Sequence, residues 1–311
     1  MSVALQLNPF SASLEAELAR RLEVVRWFEL DHGERAAWLG ARGAEVVAIV
    51  AGGHIGGPTE LIQALPQLKI VAINGVGFDK VDLALARSRG VRVTTTPGAL
   101  TDDVADLAVG LIISLLRQIP AADIHVRAGA WPFGEWPLGR KVTGRRFGVL
   151  GLGHIGGAIA RRLAAFGPVA YTSRAAKPVP YEFQPNVLAL AGACDVLVVA
   201  CSANASTRHL VDAPVLDALG PEGWLVNVSR GSVVDEAALI QALGAQRIAG
   251  AALDVFEDEP RVPEALRASP RVVLTPHIAS ATVETRAAMA ALVLANIDAV
   301  LRGEEPPTPV V

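Results

Sequence analysis

Cysteine is nearly missing from this chain: its 311 residues include two, Cys194 and Cys201. The six residues between them match no zinc-binding spacing, and two thiols cannot make a disulfide framework. They read as reduced core residues, and no metal site is expected. Aromatic residues are also scarce, at 5%. With abundant Ala, Val, Leu and Gly, this suits an α/β protein better than a β-sandwich. There is no basic block and the net charge is −3, which argues against a nucleic-acid partner. No run reaches the roughly 18–20 uncharged apolar residues that a membrane span requires. Residues 1–10 have neither a basic start nor a long apolar stretch, so no signal peptide and a cytoplasmic location are expected. What the chain does have is apolar side chains, 51% of the total, enough for a sizeable core. Two domains are expected, because single cores rarely grow beyond about 250–300 residues.

Short β-branched runs alternate with longer helical patterns. Residues 46–50, 68–73 and 91–94 read as buried strands, with helices over 60–65 and 80–89 between them. Continuous apolar strands separated by helices imply a parallel sheet covered on both faces. A second series opens with a helix over 102–116, whose Val104, Leu107, Ala108, Leu111, Ile112 and Leu115 recur at helical spacing. Strands follow at 146–150, 169–172, 196–200, 224–228, 248–253 and 272–274, with a helix over 158–165 after the first. The expected fold is α/β, with two doubly wound parallel-sheet domains. A Rossmann-type cofactor domain, residues 99–285, is inserted in a flavodoxin-like substrate domain, residues 1–98 plus 286–311. A long apolar helix over 283–302 returns the chain to the first domain.

The turn Gly151-Leu152-Gly153-His154-Ile155-Gly156 lies between a strand and a helix, the context in which this glycine spacing binds a dinucleotide. Gly151 permits the tight turn, Gly153 lets backbone approach a pyrophosphate, and Gly156 lets the helix pack close to the sheet. N–H groups at the helix N-terminus then face the phosphates. An NAD site usually carries an acid at the end of the next strand. Here that strand ends in Ser173 and Arg174, with Lys177 beyond and no carboxylate between Gly167 and Pro180. A hydroxyl, a guanidinium and an ammonium suit a 2′-phosphate. NADPH is therefore the expected cofactor, with NADH as the second candidate.

Three later segments place Arg230, Glu259 and His277 just past successive strands. Ligands of open α/β sheets bind beyond the carboxyl ends of the strands. The three are chemically sufficient for reducing a 2-oxo acid. Arg230 can grip a substrate carboxylate, His277 can donate a proton to the carbonyl oxygen, and Glu259 can fix and charge the imidazole. His54, in the loop Gly52-Gly53-His54-Ile55-Gly56, is a further candidate for facing substrate.

Taken together these blocks resemble the D-isomer-specific 2-hydroxyacid dehydrogenases over essentially the whole chain. The segments 74–82, 101–106, 151–156, 226–236, 253–260 and 274–280 resemble the family's blocks in the family's order. The resemblance implies catalytic roles for Arg230, Glu259 and His277. It implies substrate-carboxylate donors at Val76 and Gly77, and a carboxylate on the nicotinamide amide at Asp254. Val104 begins the helix that packs on the nicotinamide. Cys201, Ser202 and Thr207 sit where the family contacts adenine and phosphate. Ile155, Val228, Ser229 and Ala279 fall within the cofactor blocks. The text is most similar to the glyoxylate/hydroxypyruvate reductases and the plant-type hydroxyphenylpyruvate reductases, whose members favour NADPH. Many relatives of that branch carry Arg where this chain has His154. The resemblance also implies a homodimer through the cofactor domains. The stretch 129–136 resembles an arm crossing to the partner, and Trp136 is a candidate for reaching the partner's substrate pocket or for plain packing.

Two other readings stay open. One is another dehydrogenase of the same family, such as a phosphoglycerate type, although no C-terminal regulatory domain is read here. The other is a non-catalytic nucleotide-sensing binding protein.

Overall fold

Seven consecutive small or β-branched residues, Val46–Gly52, are all buried, and the first sheet is built around them. The computed structural model describes residues 2–311, which divide into two units, 2–100 with 281–311, and 101–280. The first unit runs β1 (Val3–Gln6), α1 (Ala12–Ala19), β2 (Glu23–Arg26), α2 (His32–Arg42), β3 (Val46–Gly52), α3 (Thr59–Ala64), β4 (Ile70–Asn74), α4 (Leu83–Ser88) and β5 (Arg92–Thr94). Its five strands are all parallel, in the order β2-β1-β3-β4-β5, which is the flavodoxin-like order. Nothing before residue 46 stood out in the sequence. The two strands there are four residues long, too short for their periodicity to show. The helices between them announce themselves by their caps instead. Ser11 accepts from Leu14 N, and Asp31 and Glu34 form a reciprocal capping box.

The second unit runs α5 (Thr101–Leu116), α6 (Ile119–Arg127), β6 (Phe147–Leu150), α7 (His154–Leu163), β7 (Val169–Thr172), β8 (Glu182–Phe183), α8 (Val187–Ala193), β9 (Val196–Val199), α9 (Ala213–Leu219), β10 (Trp224–Asn227), α10 (Glu236–Gly244), β11 (Gly250–Leu253), α11 (Glu264–Arg267) and β12 (Val272–Leu274). Seven parallel strands pair in the order β12-β11-β10-β9-β6-β7-β8. The strand order reverses between β6 and β9, the topological switch point at which doubly wound sheets bind ligands. The seventh strand, β8, is two exposed residues at the sheet edge, and no apolar run marks it. The helix after β6 starts at His154 rather than at residue 158. The intrinsic cost of Gly156 and Gly157 in a first turn is outweighed by the close packing that Gly156 allows.

The chain then returns to the first unit with α12 (Val283–Leu301), which packs on β4 and α1. Arg21 binds Asp298 across this contact at 3.1 Å. No single helix among the described residues is long and apolar enough to cross a membrane.

Candidate active site

The Gly turn sits at the switch point, and its backbone accounts for the glycines. Gly151 has φ +94°, a region that L side chains rarely adopt, and a Cβ there would meet the Cys201 backbone at 2.5 Å. A Cβ on Gly156 would come within 1.8 Å of the Gly151 carbonyl. At Gly153, by contrast, a Cβ meets no atom within 4 Å, so this backbone faces open surface. Gly153 caps α7, a ten-residue helix with no acid in its first turn. The N–H groups of a first helical turn have no acceptor within the helix and carry its positive dipole end. These residues fit the diphosphate of a dinucleotide. His154 is the first residue of the helix and is exposed, and Ile155 beside it is half-buried.

The loops around the turn are tied to it. Ala200 N donates to Leu150 O at 2.9 Å, holding the segment after β9 against the end of β6. Burial pushes the Cys201 thiol up to about 11, so at neutral pH it is an apolar wall and not a nucleophile. The Ser229 hydroxyl donates to the Cys201 carbonyl. Thr207 donates its hydroxyl to Ser202 O at 2.9 Å and accepts from Asn204 N at 2.8 Å, closing the 202–207 loop on itself. Val228 is buried, and its N–H is 3.3 Å from Val199 O. Val104 is buried on α5. Beyond β7, Arg174 is exposed. The Ser173 hydroxyl donates to Ala175 O at 2.6 Å, and the Lys177 ammonium donates to Leu152 O, inside the Gly turn, at 2.6 Å. Two of the three groups expected at a 2′-phosphate are thus already held by the protein's own backbone.

Past β10, β11 and β12 the structure brings the three late residues together. His277 Nδ1 is 2.7 Å from Glu259 Oε2. The other oxygen of Glu259 accepts the Phe256 N–H at 3.0 Å, so the carboxylate is fixed at both ends. Burial pushes the Glu259 carboxyl up. The hydrogen bond and charge of His277, the Phe256 N–H and the charge of Arg230 outweigh burial and leave it below the usual carboxylate range. Glu259 is therefore ionised at neutral pH, with the charge of Arg230 within its reach. Arg230 is half-buried and donates to Ser229 O at 2.8 Å. Asn227, at the end of β10, shapes that bend: it accepts from Ser229 N and donates to Arg230 O, both at 3.0 Å. Sequence reasoning overlooked Asn227, although a polar residue closing an apolar strand is the signal that marks it.

Asp254 lies just past β11. It is fully buried, and its carboxylate accepts from Thr275 Oγ1 at 2.7 Å, Ile278 N at 2.8 Å and Ala279 N at 3.0 Å. These bonds organise the turn that carries His277. Ala279 takes part through its backbone, and its side chain is buried.

The substrate candidates of the first unit lie on two adjoining loops. His54 follows β3, Val76 and Gly77 follow β4, and Gly52 and Asn74 are paired in register. His54 is exposed, whereas Val76 and Gly77 are half-buried. Asn8, at the end of β1, accepts from Gly52 N at 2.7 Å and ties down the His54 loop. In the second unit, Trp136 packs on His125 of α6, with ring centroids 5.0 Å apart.

A family model described as the NAD-binding domain of D-isomer-specific 2-hydroxyacid dehydrogenases matches residues 109–279. The chain is 48% identical to glyoxylate/hydroxypyruvate reductase A of Arabidopsis thaliana over 309 residues, which cover 99% of this chain and 98% of that one. It is 47% identical to hydroxyphenylpyruvate reductase of Plectranthus scutellarioides, also over 99% and 98%. Among solved structures it resembles the NADPH-dependent glyoxylate/hydroxypyruvate reductase of Sinorhizobium meliloti in complex with NADP and malonate, with a TM-score of 0.94 and 44% identity over 100% of this chain and 97% of that one. With the sheet order, the Gly turn and these likenesses agreeing, the chain belongs to the D-isomer-specific 2-hydroxyacid dehydrogenases and is an enzyme of their glyoxylate/hydroxypyruvate reductase type.

Proposed function

We propose that this enzyme reduces a small 2-oxo acid, such as glyoxylate or hydroxypyruvate, to the D-2-hydroxy acid, with NADPH as the preferred reductant. The observation that carries the reading is the 2.7 Å pair of His277 and Glu259 with the charge of Arg230 beside it. A nicotinamide cofactor, when bound, supplies the hydride for the carbonyl carbon. The Gly151–Gly156 turn and the start of α7 would hold its diphosphate, with Cys201, Ser202, Thr207, Val228 and Ser229 along the neighbouring loops.

His277 supplies the proton. With Nδ1 on Glu259, Nε2 is the nitrogen that hands a proton to the carbonyl oxygen. The ionised Glu259 binds Nδ1 and fixes the ring plane. Arg230 offers a planar fork to the substrate carboxylate and orients the carbonyl. The backbone N–H groups of Val76 and Gly77 are the further carboxylate donors in this reading, and His54 borders the substrate.

Ser173, Arg174 and Lys177 support NADPH, because they place hydroxyl and cationic donors where an NAD site carries an acid. The Sinorhizobium relative is named NADPH-dependent and was crystallised with NADP, which supports the same choice. We also propose a homodimer through the second unit. Large apolar side chains lie exposed along 119–138: Ile119, Ile124, Val126, Trp131, Phe133 and Leu138. Large apolar side chains exposed along one stretch support an interaction site there, and a second copy of the chain is the occupant.

The deciding experiment compares kcat/KM for NADPH and NADH on glyoxylate, hydroxypyruvate, pyruvate and phenylpyruvate. The expected result is turnover of the smaller acids with NADPH ahead. No turnover of any 2-oxo acid rejects the substrate class, and a clear NADH preference rejects the cofactor reading.

A further inference from the structure

The sequence read Ser173, Arg174 and Lys177 as three separate groups on a surface loop. In the structure one buried hydroxyl gathers that loop. Tyr171, in the middle of β7, is 1% exposed. Its ring packs on Phe183 of β8, with centroids 5.5 Å apart, and its hydroxyl reaches the far end of the loop. There it accepts from Lys177 N at 2.7 Å and donates to Lys177 O at 3.3 Å. The side chain of the same Lys177 runs back to Leu152 O in the Gly turn. Ser173 is turned to Ala175 O within the enclosed segment. Thr172 O accepts from Gly151 N at 2.9 Å, closing the circuit at its other side.

We propose that Tyr171 is a positioning residue for coenzyme selectivity. Its hydroxyl holds the 173–177 loop, through Lys177, in the shape that presents Ser173, Arg174 and Lys177 to a 2′-phosphate. An ammonium has three N–H donors. With one directed at Leu152, Lys177 joins the diphosphate turn to the loop that reads the 2′ position. A loop ordered in advance loses less conformational entropy on binding than one ordered by the ligand. That saving applies to the coenzyme that uses the loop. NADH has no phosphate there to collect it. The inference rests on the NADPH reading above.

The test is Tyr171→Phe, which removes the hydroxyl and keeps the ring. The readout is the ratio of kcat/KM for NADPH to that for NADH, with inhibition by 2′,5′-ADP measured beside inhibition by 5′-AMP. The expected result is a ratio about tenfold lower and weaker inhibition by 2′,5′-ADP relative to 5′-AMP, on the scale of one or two lost hydrogen bonds. A hydroxyl that served only the fold would lower both coenzymes alike and leave the ratio in place, which overturns the proposal. Lys177→Met, at an exposed position, is the second variant. It should lower the ratio as well, and a retained ratio there overturns the proposal even if Tyr171→Phe does not fold. A wild-type enzyme with no NADPH preference overturns the cofactor reading itself, a result distinct from a wild-type preference that survives both substitutions.

Discussion

The main-chain N–H of His277 is held 2.9 Å from the carbonyl of Asp254, and His277 sits at φ +54°. A non-glycine residue in the left-handed region carries a backbone cost of about 1–2 kcal/mol. The surrounding bonds to Asp254 account for its persistence. The backbone carbonyl of Asp254 takes His277, and its carboxylate takes Thr275, Ile278 and Ala279. One buried acid thus sets the turn that aims the imidazole. Asp254→Ala leaves three donors without their acceptor, one of them the buried Ala279 N–H. A loss of about 1–3 kcal/mol in unfolding free energy is expected from the buried group left unsatisfied, with kcat reduced because His277 is no longer aimed. Denaturant unfolding and steady-state kinetics check this. Full stability and full kcat together would remove Asp254 from the role.

His277→Ala tests the proton donor. Loss of a general acid typically lowers the rate by about 10²–10⁴. NADPH binding, followed by nucleotide fluorescence, should stay near the wild-type value, because the imidazole acts on the substrate oxygen and not on the dinucleotide phosphates. An unchanged kcat rejects the assignment.

These two sites differ in how legible they were. Gly151, Arg230, Glu259 and His277 could be read from the sequence, because each lies at a strand end in a motif whose chemistry requires that residue type. The parallel sheets were legible because β3 and β6 are unbroken apolar runs and β4 is one up to its closing Asn74. Asp254 was visible as a residue, but its three donors come from residues more than twenty positions later, and only the fold brings them together. Tyr171 looked like one more buried strand residue, since nothing local shows that its hydroxyl meets Lys177. Residues 1–45 were opaque because four-residue strands between charged segments leave no period to count.

Glu259→Gln separates the charge of that residue from its shape. Because the folded carboxyl lies below its ordinary value, its contribution to stability is present above about pH 4.3 and is lost as the pH falls through the depressed folded value. The wild type should therefore have the higher Tm at pH 7, and the gap to the variant should shrink below about pH 4. In kinetics, Gln loses the charged acceptor that holds Nδ1 of His277 at 2.7 Å, so kcat for the 2-oxo acid should fall while the KM for NADPH stays near the wild-type value. An unchanged kcat in the variant would detach Glu259 from the proton transfer.

Arg230→Lys keeps a positive charge and loses the planar fork. Bidentate capture of a carboxylate depends on that fork, so KM for the 2-oxo acid should rise by tenfold or more, about 1.4 kcal/mol of lost binding. The bend that presents the residue rests on Asn227 and should survive the change, since both of its contacts are to backbone. An unaltered KM would remove Arg230 from the carboxylate site.

The last prediction concerns the arm. Phe133 is 90% exposed, Leu138 94% and Trp131 66%. At about 25 cal/mol per Å² of apolar surface buried, side chains of this size exposed together favour association with a second copy of the chain. The stretch is also weakly structured from within, as a single 3-10 turn at Trp131–Phe133 and no strand pairing separate α6 from β6. Its backbone is held by short turns, which leaves these apolar side chains outward. The triple substitution Trp131→Ser, Phe133→Ser, Leu138→Ser should shift the enzyme from dimer towards monomer in sedimentation velocity. It should leave the Tm of the isolated subunit little changed, because these side chains contribute little to its core. A variant that remains as dimeric as the wild type places the subunit contact elsewhere on the surface.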